Sequence, residues 1–240
     1  MGKFEKLFNQ FLDCVQTLQK ALNVSFTEAL VETFDNLEQG KIKVENGAPD
    51  EQTVAELSKK YQSLDYDEIS QKDKAQVFTF LTLKAINDDG FDVNKMPTPP
   101  AISTVIAMLM HKLVKNEKVE IVDPTIGTGI LLFSIISQLK ALNHSKDNYQ
   151  LVGIDNDEEM LNLADVAAHL NDFDIELYCQ DALMPWMCSN PDVVVSDLPI
   201  GYYPVDENAK KFENRAEKGH SFAHLLLIEQ IIKNLKPAGY

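Results

Sequence analysis

The sequence predicts a doubly wound, mostly parallel α/β sheet preceded by an N-terminal helical domain. In the first ninety residues, apolar side chains recur at three- and four-residue steps, as on the buried face of a helix, and no convincing strand pattern interrupts them. Beyond residue 96, short β-rich runs alternate with helical runs. Such alternation is typical of parallel strands joined by right-handed helical crossovers, so we expect a second domain of this kind.

The N-terminal domain is predicted to be a helical bundle over residues 1–95. An amphipathic stripe over residues 4–22 predicts the first helix. Ser25 and Glu28 match a capping box, in which a hydroxyl and a carboxylate satisfy the free amides of a helix start, so a second helix is expected over residues 25–38. Helical periodicity returns in two later stretches, residues 54–61 and 77–86.

A proline-rich hinge over residues 96–100 opens the second domain, which is predicted over residues 96–240. Four strands are predicted from apolar and β-branched runs: Val119 to Asp123, Gln150 to Asp155, Ile175 to Cys179 and Asp192 to Asp197. Helices are expected between these strands and after the last one, over residues 128–142, 157–171, 183–188 and 221–235. Parallel strands need crossover connections of this kind.

Charge and composition limit the function. The chain has 240 residues, of which 22 are Lys or Arg and 37 are Asp or Glu, so its net charge is −15. This charge repels a phosphate backbone and leaves no basic stripe, so we expect this chain alone to bind DNA only weakly. No run approaches the roughly 18 apolar residues that span a bilayer, and we therefore predict a cytoplasmic protein that does not enter membranes.

The cysteine and histidine patterns predict neither disulfides nor a metal site. Cys14, Cys179 and Cys188 are odd in number and lack a C-x-x-C pairing, which favours reduced thiols. His220 and His224 would share one helix face, but no nearby cysteine or acidic triad completes a set of metal ligands. We therefore expect chemistry that needs no metal.

The strongest local motif is a glycine turn that follows the first predicted strand, Asp123-Pro124-Thr125-Ile126-Gly127-Thr128-Gly129. Gly127 and Gly129 would let the backbone bend sharply and approach a ligand closely, and the next helix offers free amides at its start. Dinucleotide enzymes carry a G-x-G-x-x-G pattern here, but Leu132 takes the place of the third glycine. A dinucleotide is therefore disfavoured, and the turn alone is equally compatible with a structural role.

Four aspartates follow or end the four predicted strands: Asp123, Asp155, Asp181 and Asp197. The carboxyl ends of parallel strands meet at one edge of the sheet, where open α/β folds bind ligands. A single acid at a strand end is commonly a helix N-cap, whereas four together predict a ligand site. Asp155 can accept hydrogen bonds from ribose hydroxyls, and Asp181 can accept one from an adenine amine.

With these motifs, residues 96–240 resemble the adenine-specific DNA methyltransferases, especially the modification subunits of type I restriction systems and their degenerate relatives in Gram-positive bacteria. The resemblance implies a class I methyltransferase with a Rossmann-like sheet and S-adenosylmethionine as cofactor. It also implies that Thr98 reaches the methionine end of the cofactor and that Asp155, with Asn156, holds the ribose. The remaining cofactor contacts that it implies are those of Asp123, Pro124, Thr125, Gly127, Gly129, Asp181 and Ala182.

The same resemblance implies a catalytic segment formed by Asp197, Leu198, Pro199 and Ile200. In the family, the first side chain and the next carbonyl accept hydrogen bonds from the target amine, and Asp197 keeps this capacity. Ile200, however, stands where the family carries an aromatic residue, and stacking on an extruded base is worth about 1–3 kcal/mol. Tyr202 or Tyr203 would replace the missing ring if the loop folds back; in the alternative, both tyrosines pack the loop.

Two functions remain open at this point. The chain is either a methyltransferase acting on an amine, with adenine in DNA as the leading substrate, or a regulatory module that binds S-adenosylmethionine and acts with a partner. The resembled enzymes have seven strands, and the four found here are expected in the order 3-2-1-4. The fourth strand has the continuous apolar pattern of a buried strand, so we expect a longer natural chain or a partner to cover its edge.

Overall fold

A computed structural model describes residues 2–91, 93–114, 118–142, 149–188 and 190–240. The chain divides into two compact units, Met1–Met96 with Asn162–Phe173 and Pro97–Leu161 with Asp174–Tyr240. The first unit is helical, and the second contains the sheet. Among the described residues, no helix is long and apolar enough to cross a membrane.

Over residues 2–91, the first unit contains four long helices: α1 (Lys3–Leu22), α2 (Phe26–Gln39), α3 (Glu51–Leu64) and α4 (Gln71–Asp88). Short 3-10 turns follow α3 and α4, at Tyr66–Glu68 and Val93–Lys95. Phe34 is fully buried, stacks on Phe11 at 5.2 Å between ring centroids and meets Phe78 edge-on at 4.9 Å. The Ser25 hydroxyl accepts the Glu28 amide at 3.0 Å, so the predicted cap does begin α2.

The second unit begins with α5 (Pro100–Leu113), a helix that was not predicted. The prolines ahead of it indicated only a hinge, yet Pro100 occupies the first helical position, where a missing N–H costs nothing. Ser103 and Ala107 are buried on one face of α5, and the Ser103 hydroxyl lies 2.7 Å from that of Ser134. Ser134 belongs to α6 (Ile130–Leu142), so α5 packs closely on that helix through small residues.

The sheet contains the four predicted strands in the predicted order. Its strands are β1 (Val119–Asp123), β2 (Tyr149–Asp155), β3 (Ile175–Cys179) and β4 (Val193–Val194). They lie in the order β3-β2-β1-β4, and every pair is parallel. Helix α6 connects β1 to β2, and α7 (Glu158–Leu170) connects β2 to β3. The fold class and the strand order predicted from the sequence are therefore confirmed.

The connection between β3 and β4 corrects one prediction. The helix expected over residues 183–188 is absent, and turns and bends occupy these positions. Pro185 has no amide to donate, and Trp186 is buried with its indole nitrogen donating to the Ala182 carbonyl at 2.8 Å. Burial of the tryptophan ring under the sheet, where it packs with Val152 and Ile154, decides this conformation.

Strand β4 is shorter than the predicted run from Asp192 to Asp197. Backbone hydrogen bonds to β1 continue one residue beyond each end of β4, through the amides of Asp192 and Val195. The chain then leaves the sheet at Ser196, whose hydroxyl lies 2.7 Å from that of Thr125 in the turn after β1. At Ser196, where β4 was expected to continue, this side-chain contact thus takes the place of backbone hydrogen bonds between strands.

The outer edge of β4 is paired with the last residue of the sequence. Tyr240 donates its amide to the Asp192 carbonyl at 3.0 Å and accepts the Val194 amide at 2.9 Å, which is a parallel register. Two helices lie between β4 and Tyr240: the one-turn α8 (Asp206–Ala209) and α9 (Ala223–Asn234). The helix predicted over residues 221–235 is therefore present as α9.

Candidate functional site

Asp123 ends β1 and is almost completely buried, with 1% of its surface exposed. Its carboxylate accepts the Thr125 amide at 3.0 Å. Burial raises the pKa of Asp123 to about 7; the Thr125 amide opposes this shift, and the charges of Asp155 and Asp197 add to it. Asp123 therefore fixes the start of the glycine turn from inside the protein.

The glycine turn packs closely against helix α6 at Gly129 but leaves room beside Gly127. Gly127 and Gly129 have φ values of +51° and +76°, in the left-handed region that favours glycine. A Cβ on Gly129 would come within 2.2 Å of the Phe133 ring, whereas a Cβ on Gly127 would meet no described atom within 4 Å. The space beside Gly127 lies at the start of α6, where helix amides favour polar or anionic groups.

Asp155 ends β2 and holds this turn in place. One carboxylate oxygen accepts the Gly127 amide at 2.9 Å, and the other accepts the Asp157 amide at 3.0 Å. Burial raises the pKa of Asp155, and these amides oppose the rise. Each carboxylate oxygen has two lone pairs, so the group can still accept from a diol. Asp157, which the sequence analysis did not select, bonds the amides at the start of α7, so Asp155 is not the N-cap of that helix.

Asp181 follows β3 and is joined to Tyr203. One oxygen of Asp181 accepts the Leu183 amide at 2.9 Å, and the other accepts the hydroxyl of Tyr203. That hydroxyl also accepts from the side-chain amide of Asn208 at 2.9 Å. Burial and the neighbouring carboxylate raise the pKa of Tyr203 to about 12. No signal in the sequence pointed to Asn208, which is buried in the one-turn helix α8.

The structure brings Thr98, Thr125 and Asp197 together. The Thr98 hydroxyl donates to the Asp197 carboxylate at 2.6 Å, and the Thr125 hydroxyl donates to the Asp197 carbonyl at 3.3 Å. Ser196, which sequence reasoning missed, joins this group through its hydroxyl, which lies 2.7 Å from that of Thr125. Three segments that are distant in sequence therefore meet at the carboxyl end of β1 and β4.

The predicted catalytic segment is divided between the core and the surface. Leu198 packs against a buried cluster that includes Leu183, Tyr203 and Leu226. Pro199 is half-buried, whereas Ile200 is 78% exposed. The two neighbouring tyrosines have different environments, because Tyr203 is 7% exposed and Tyr202 is 63% exposed.

The other implied cofactor residues lie at the same edge of the sheet. Pro124 is buried in the glycine turn, Asn156 is exposed after β2, and Ala182 is half-buried beside Asp181. Among the residues that the structure describes, no group of three or more His, Cys, Asp or Glu is arranged to hold a metal ion.

The parallel sheet, the glycine turn and the acidic strand ends define a class I S-adenosylmethionine-dependent methyltransferase. The family model described as N-6 DNA methylase matches residues 71–240, and the chain belongs to this family. A second model, the YtxK N-terminal helical domain, matches residues 5–86. S-adenosylmethionine is accordingly the cofactor of the fold.

Individual relatives agree with this assignment. The chain is 34% identical over 229 residues to the uncharacterized protein YtxK of Bacillus subtilis. The matched region covers 93% of this chain and 66% of that protein. It is 35% identical to a Listeria monocytogenes protein assigned to the class I S-adenosylmethionine-dependent methyltransferases, with a TM-score of 0.85 over 98% of this chain and 71% of the other. A type I restriction-modification methyltransferase subunit from Streptococcus thermophilus shares the fold, with a TM-score of 0.60, 17% identity, and coverage of 95% and 53% of the two chains. The chain thus spans about two thirds of the length of its curated relative.

Proposed function

We propose that this chain transfers a methyl group from S-adenosylmethionine to an exocyclic amine, with adenine in DNA as the substrate. The observation that carries the proposal is the junction of Thr98, Thr125 and Asp197. Its hydrogen bonds hold the Asp197 carboxylate and the Asp197 backbone carbonyl, which directly precedes Leu198, beside the glycine turn. The Asp197 carboxylate and the next carbonyl, that of Leu198, are acceptors of the kind that an amine needs on its N–H groups during methyl transfer.

The residues present fit the cofactor. Asp155 retains lone pairs for the ribose hydroxyls, and the open side of Gly127 leaves space at a helix start. Asp181 faces the adenine ring in this proposal, and Thr98 the methionine end. When bound, S-adenosylmethionine would supply a methyl group on a sulfonium: an amine that attacks in line forms an N–CH3 bond as the S–CH3 bond breaks, and sulfur keeps the electron pair as a neutral thioether.

Asp197 has the central role toward the amine in this proposal. Its carboxylate accepts an N–H of the amine, which raises electron density on nitrogen, and it is the nearest proton acceptor when the alkylated amine releases a proton. The Leu198 carbonyl accepts the second N–H. A charged acceptor forms a stronger hydrogen bond than an amide does. Positioning supplies the rest of the rate enhancement, because holding two reactants in line replaces an encounter in solution.

The net charge of −15 is unevenly distributed along the chain, which supports DNA as the substrate in this proposal. Residues 201–240 contain six Lys or Arg residues and five Asp or Glu residues, so the acidic excess lies elsewhere. We propose that strong DNA binding requires a partner subunit or a longer chain, as in restriction-modification assemblies. Cytoplasmic location and a domain boundary near residue 95 belong to the same proposal.

A second function is favoured by the departure at Ile200. Its exposed aliphatic side chain offers a base less contact than a ring does, and one oxygen of Asp197 already accepts from Thr98. In this alternative, the chain binds S-adenosylmethionine without transferring its methyl group and acts through a partner.

Transfer of radiolabel from the methyl donor to DNA, RNA and total protein separates the two functions. We expect labelled DNA from the wild type and none from Asp197→Ala, while calorimetry shows similar cofactor affinity for both. Glu207→Ala, which removes an exposed acid in α8, is the matched control and should keep its activity. Cofactor binding without labelling of any acceptor would support the regulatory module instead. Absence of cofactor binding would contradict both functions.

A further inference from the structure

Two exposed aromatic rings lie beyond the predicted catalytic segment: Tyr202 is two positions after Ile200, and Phe222 directly precedes α9. Tyr202 and Phe222 stack on each other with ring centroids 4.8 Å apart and planes inclined by 27°. They are 63% and 44% exposed. We call this pair the aromatic platform. Large rings in such exposed positions lose contact with the protein core, so their presence here requires an explanation.

The platform is held by the backbone on both sides. Tyr202 and Phe222 form an antiparallel bridge, in which Tyr203 donates its amide to the Ser221 carbonyl at 2.8 Å and Ala223 donates to the Gly201 carbonyl at 3.0 Å. Tyr203 is anchored in the core next to one ring, and α9 begins directly after the other. The two rings are therefore fixed in place before any ligand binds.

Tyr202, one ring of the platform, lies in the same loop as Asp197, and the bridge joins Phe222 to that loop. The Asp197 carbonyl is tied to Thr125, and the Gly201 carbonyl is tied to the start of α9. Tyr202 is five positions after Asp197, so the two Cα atoms lie within roughly 18 Å of each other even if the segment were fully extended. Gly201 has a φ of +135°, a backbone conformation that turns the chain between them and that other residues rarely adopt.

Two imidazole rings border the platform and add polar character to its rim. His220 lies 6.2 Å from the Tyr202 ring and pairs with Asp206 at 3.0 Å, and His224 lies 5.6 Å from the Phe222 ring. A rigid aromatic surface with polar edges suits a flat ring that carries its own hydrogen-bonding groups. Purines have this chemistry.

We propose that the aromatic platform is the subsite that stacks on the acceptor purine and presents its exocyclic amine toward Asp197. This inference rests on the proposed function and names the residues that compensate for Ile200. The purine would come from a free nucleoside or from a base extruded out of a nucleic acid, and both sources offer the same flat face.

Binding of 2-aminopurine, whose emission changes on stacking, tests the platform without any methyl transfer. Three probes distinguish the sources: the free 2-aminopurine nucleoside, a single-stranded oligonucleotide with one central 2-aminopurine, and the same strand in a duplex. Tyr202→Ala and Phe222→Ala should each weaken binding about 5- to 150-fold, the range found for removal of one stacking ring. Tyr202→Phe keeps a ring and should restore binding to near the wild-type value.

Phe80→Ala is the matched control, because Phe80 is a 47% exposed ring in the helical unit. Unchanged affinity in the two platform variants, or an equal loss in Phe80→Ala, would overturn the inference. Cofactor affinity and thermal unfolding of each variant show whether the fold is intact. Platform-dependent probe binding without methyl transfer would reject the proposed function and keep the subsite. Methyl transfer whose KM for the acceptor does not change in Tyr202→Ala and Phe222→Ala would keep the proposed function and reject the subsite.

Discussion

The hydroxyl of Thr98 donates a 2.6 Å hydrogen bond to the carboxylate of Asp197, although the two residues are 99 positions apart in the sequence. Thr98 precedes α5, and Asp197 follows β4, so the contact joins the start of the second unit to the predicted catalytic segment. This hydrogen bond restrains the orientation of the carboxylate through one of its oxygens, and in the proposed reaction the other oxygen accepts from the amine.

Removal of this donor tests its contribution to the proposed reaction. Thr98→Val keeps the shape of the side chain but lacks the hydroxyl, so the carboxylate loses its orientation. We expect kcat to fall about 10- to 150-fold, as for loss of one hydrogen bond to a charged group. Thr98→Ser keeps the hydroxyl and should retain most of the activity. Steady-state methyl transfer by both variants provides the measurement, and equal rates in Thr98→Val and the wild type would refute this role.

Asp155→Ala should weaken S-adenosylmethionine binding by about 1.5–3 kcal/mol, because the ribose hydroxyls lose a charged acceptor. Calorimetry measures the affinity directly. Because Asp155 also holds the Gly127 amide, circular dichroism must show that the sheet is intact. Glu176→Ala removes an exposed acid from the neighbouring strand β3 and should leave the affinity unchanged. If Asp155→Ala binds the cofactor as well as the wild type, the ribose assignment is incorrect.

The buried carboxyl group of Asp123 is expected to make the stability of the protein depend on pH. Its pKa in the folded protein is about 7, above the ordinary value of 3.8, so the folded state binds the extra proton between these values. Its contribution to stability is therefore complete below about pH 4 and is lost as the pH rises through about 7. Asp123→Asn cannot ionise and keeps an acceptor for the Thr125 amide.

The difference in free energy of unfolding between Asp123→Asn and the wild type should increase, in favour of the variant, by on the order of 2–4 kcal/mol as the pH rises from 5 to 8. Urea titrations followed by the emission of Trp186, the single tryptophan, measure this difference. Glu158→Gln, an exposed acid at the start of α7, is the control and should show no comparable trend. A difference that does not change with pH would contradict the predicted titration.

The adjacent tyrosines provide a matched pair for stability. Tyr203→Phe removes a buried hydroxyl that donates to Asp181 and accepts from Asn208, so it should cost about 1–3 kcal/mol. Tyr202→Phe removes a hydroxyl from an exposed ring and should change stability by less than about 0.5 kcal/mol. Thermal and urea unfolding of both variants give the comparison, and equal effects would show that the buried network contributes little.

Electrostatics predicts weak DNA binding by the isolated chain. With a net charge of −15, duplex affinity should be low and should decrease further between about 50 and 200 mM salt. A gel-shift titration at several salt concentrations tests this expectation. Tight, sequence-specific binding by this chain alone at physiological salt would show that the charges are distributed differently from the way we infer.

Local patterns in the sequence were sufficient for the strands and for the turn after β1. The Asp123 to Gly129 segment and the acids at the strand ends were identifiable because the conformations they favour depend on residues only a few positions apart. Helix α5 was not identified, because a proline pair ahead of a helix resembles a linker when only its composition is considered. The helix expected over residues 183–188 was wrong, because burial of Trp186 outweighed local propensity.

The sequence by itself determined the fold class, the strand order through its resemblance to a known family, and the aspartates available at one edge of the sheet. The tertiary structure alone decided how those groups are used. It placed Thr98 against Asp197, buried Tyr203 and left Tyr202 exposed on Phe222. The physical reason is that hydrogen bonds and ring contacts between segments distant in sequence depend on how the helices and strands pack. Neighbouring residues of one type, such as the two tyrosines, carry no local signal that distinguishes a core position from a surface position.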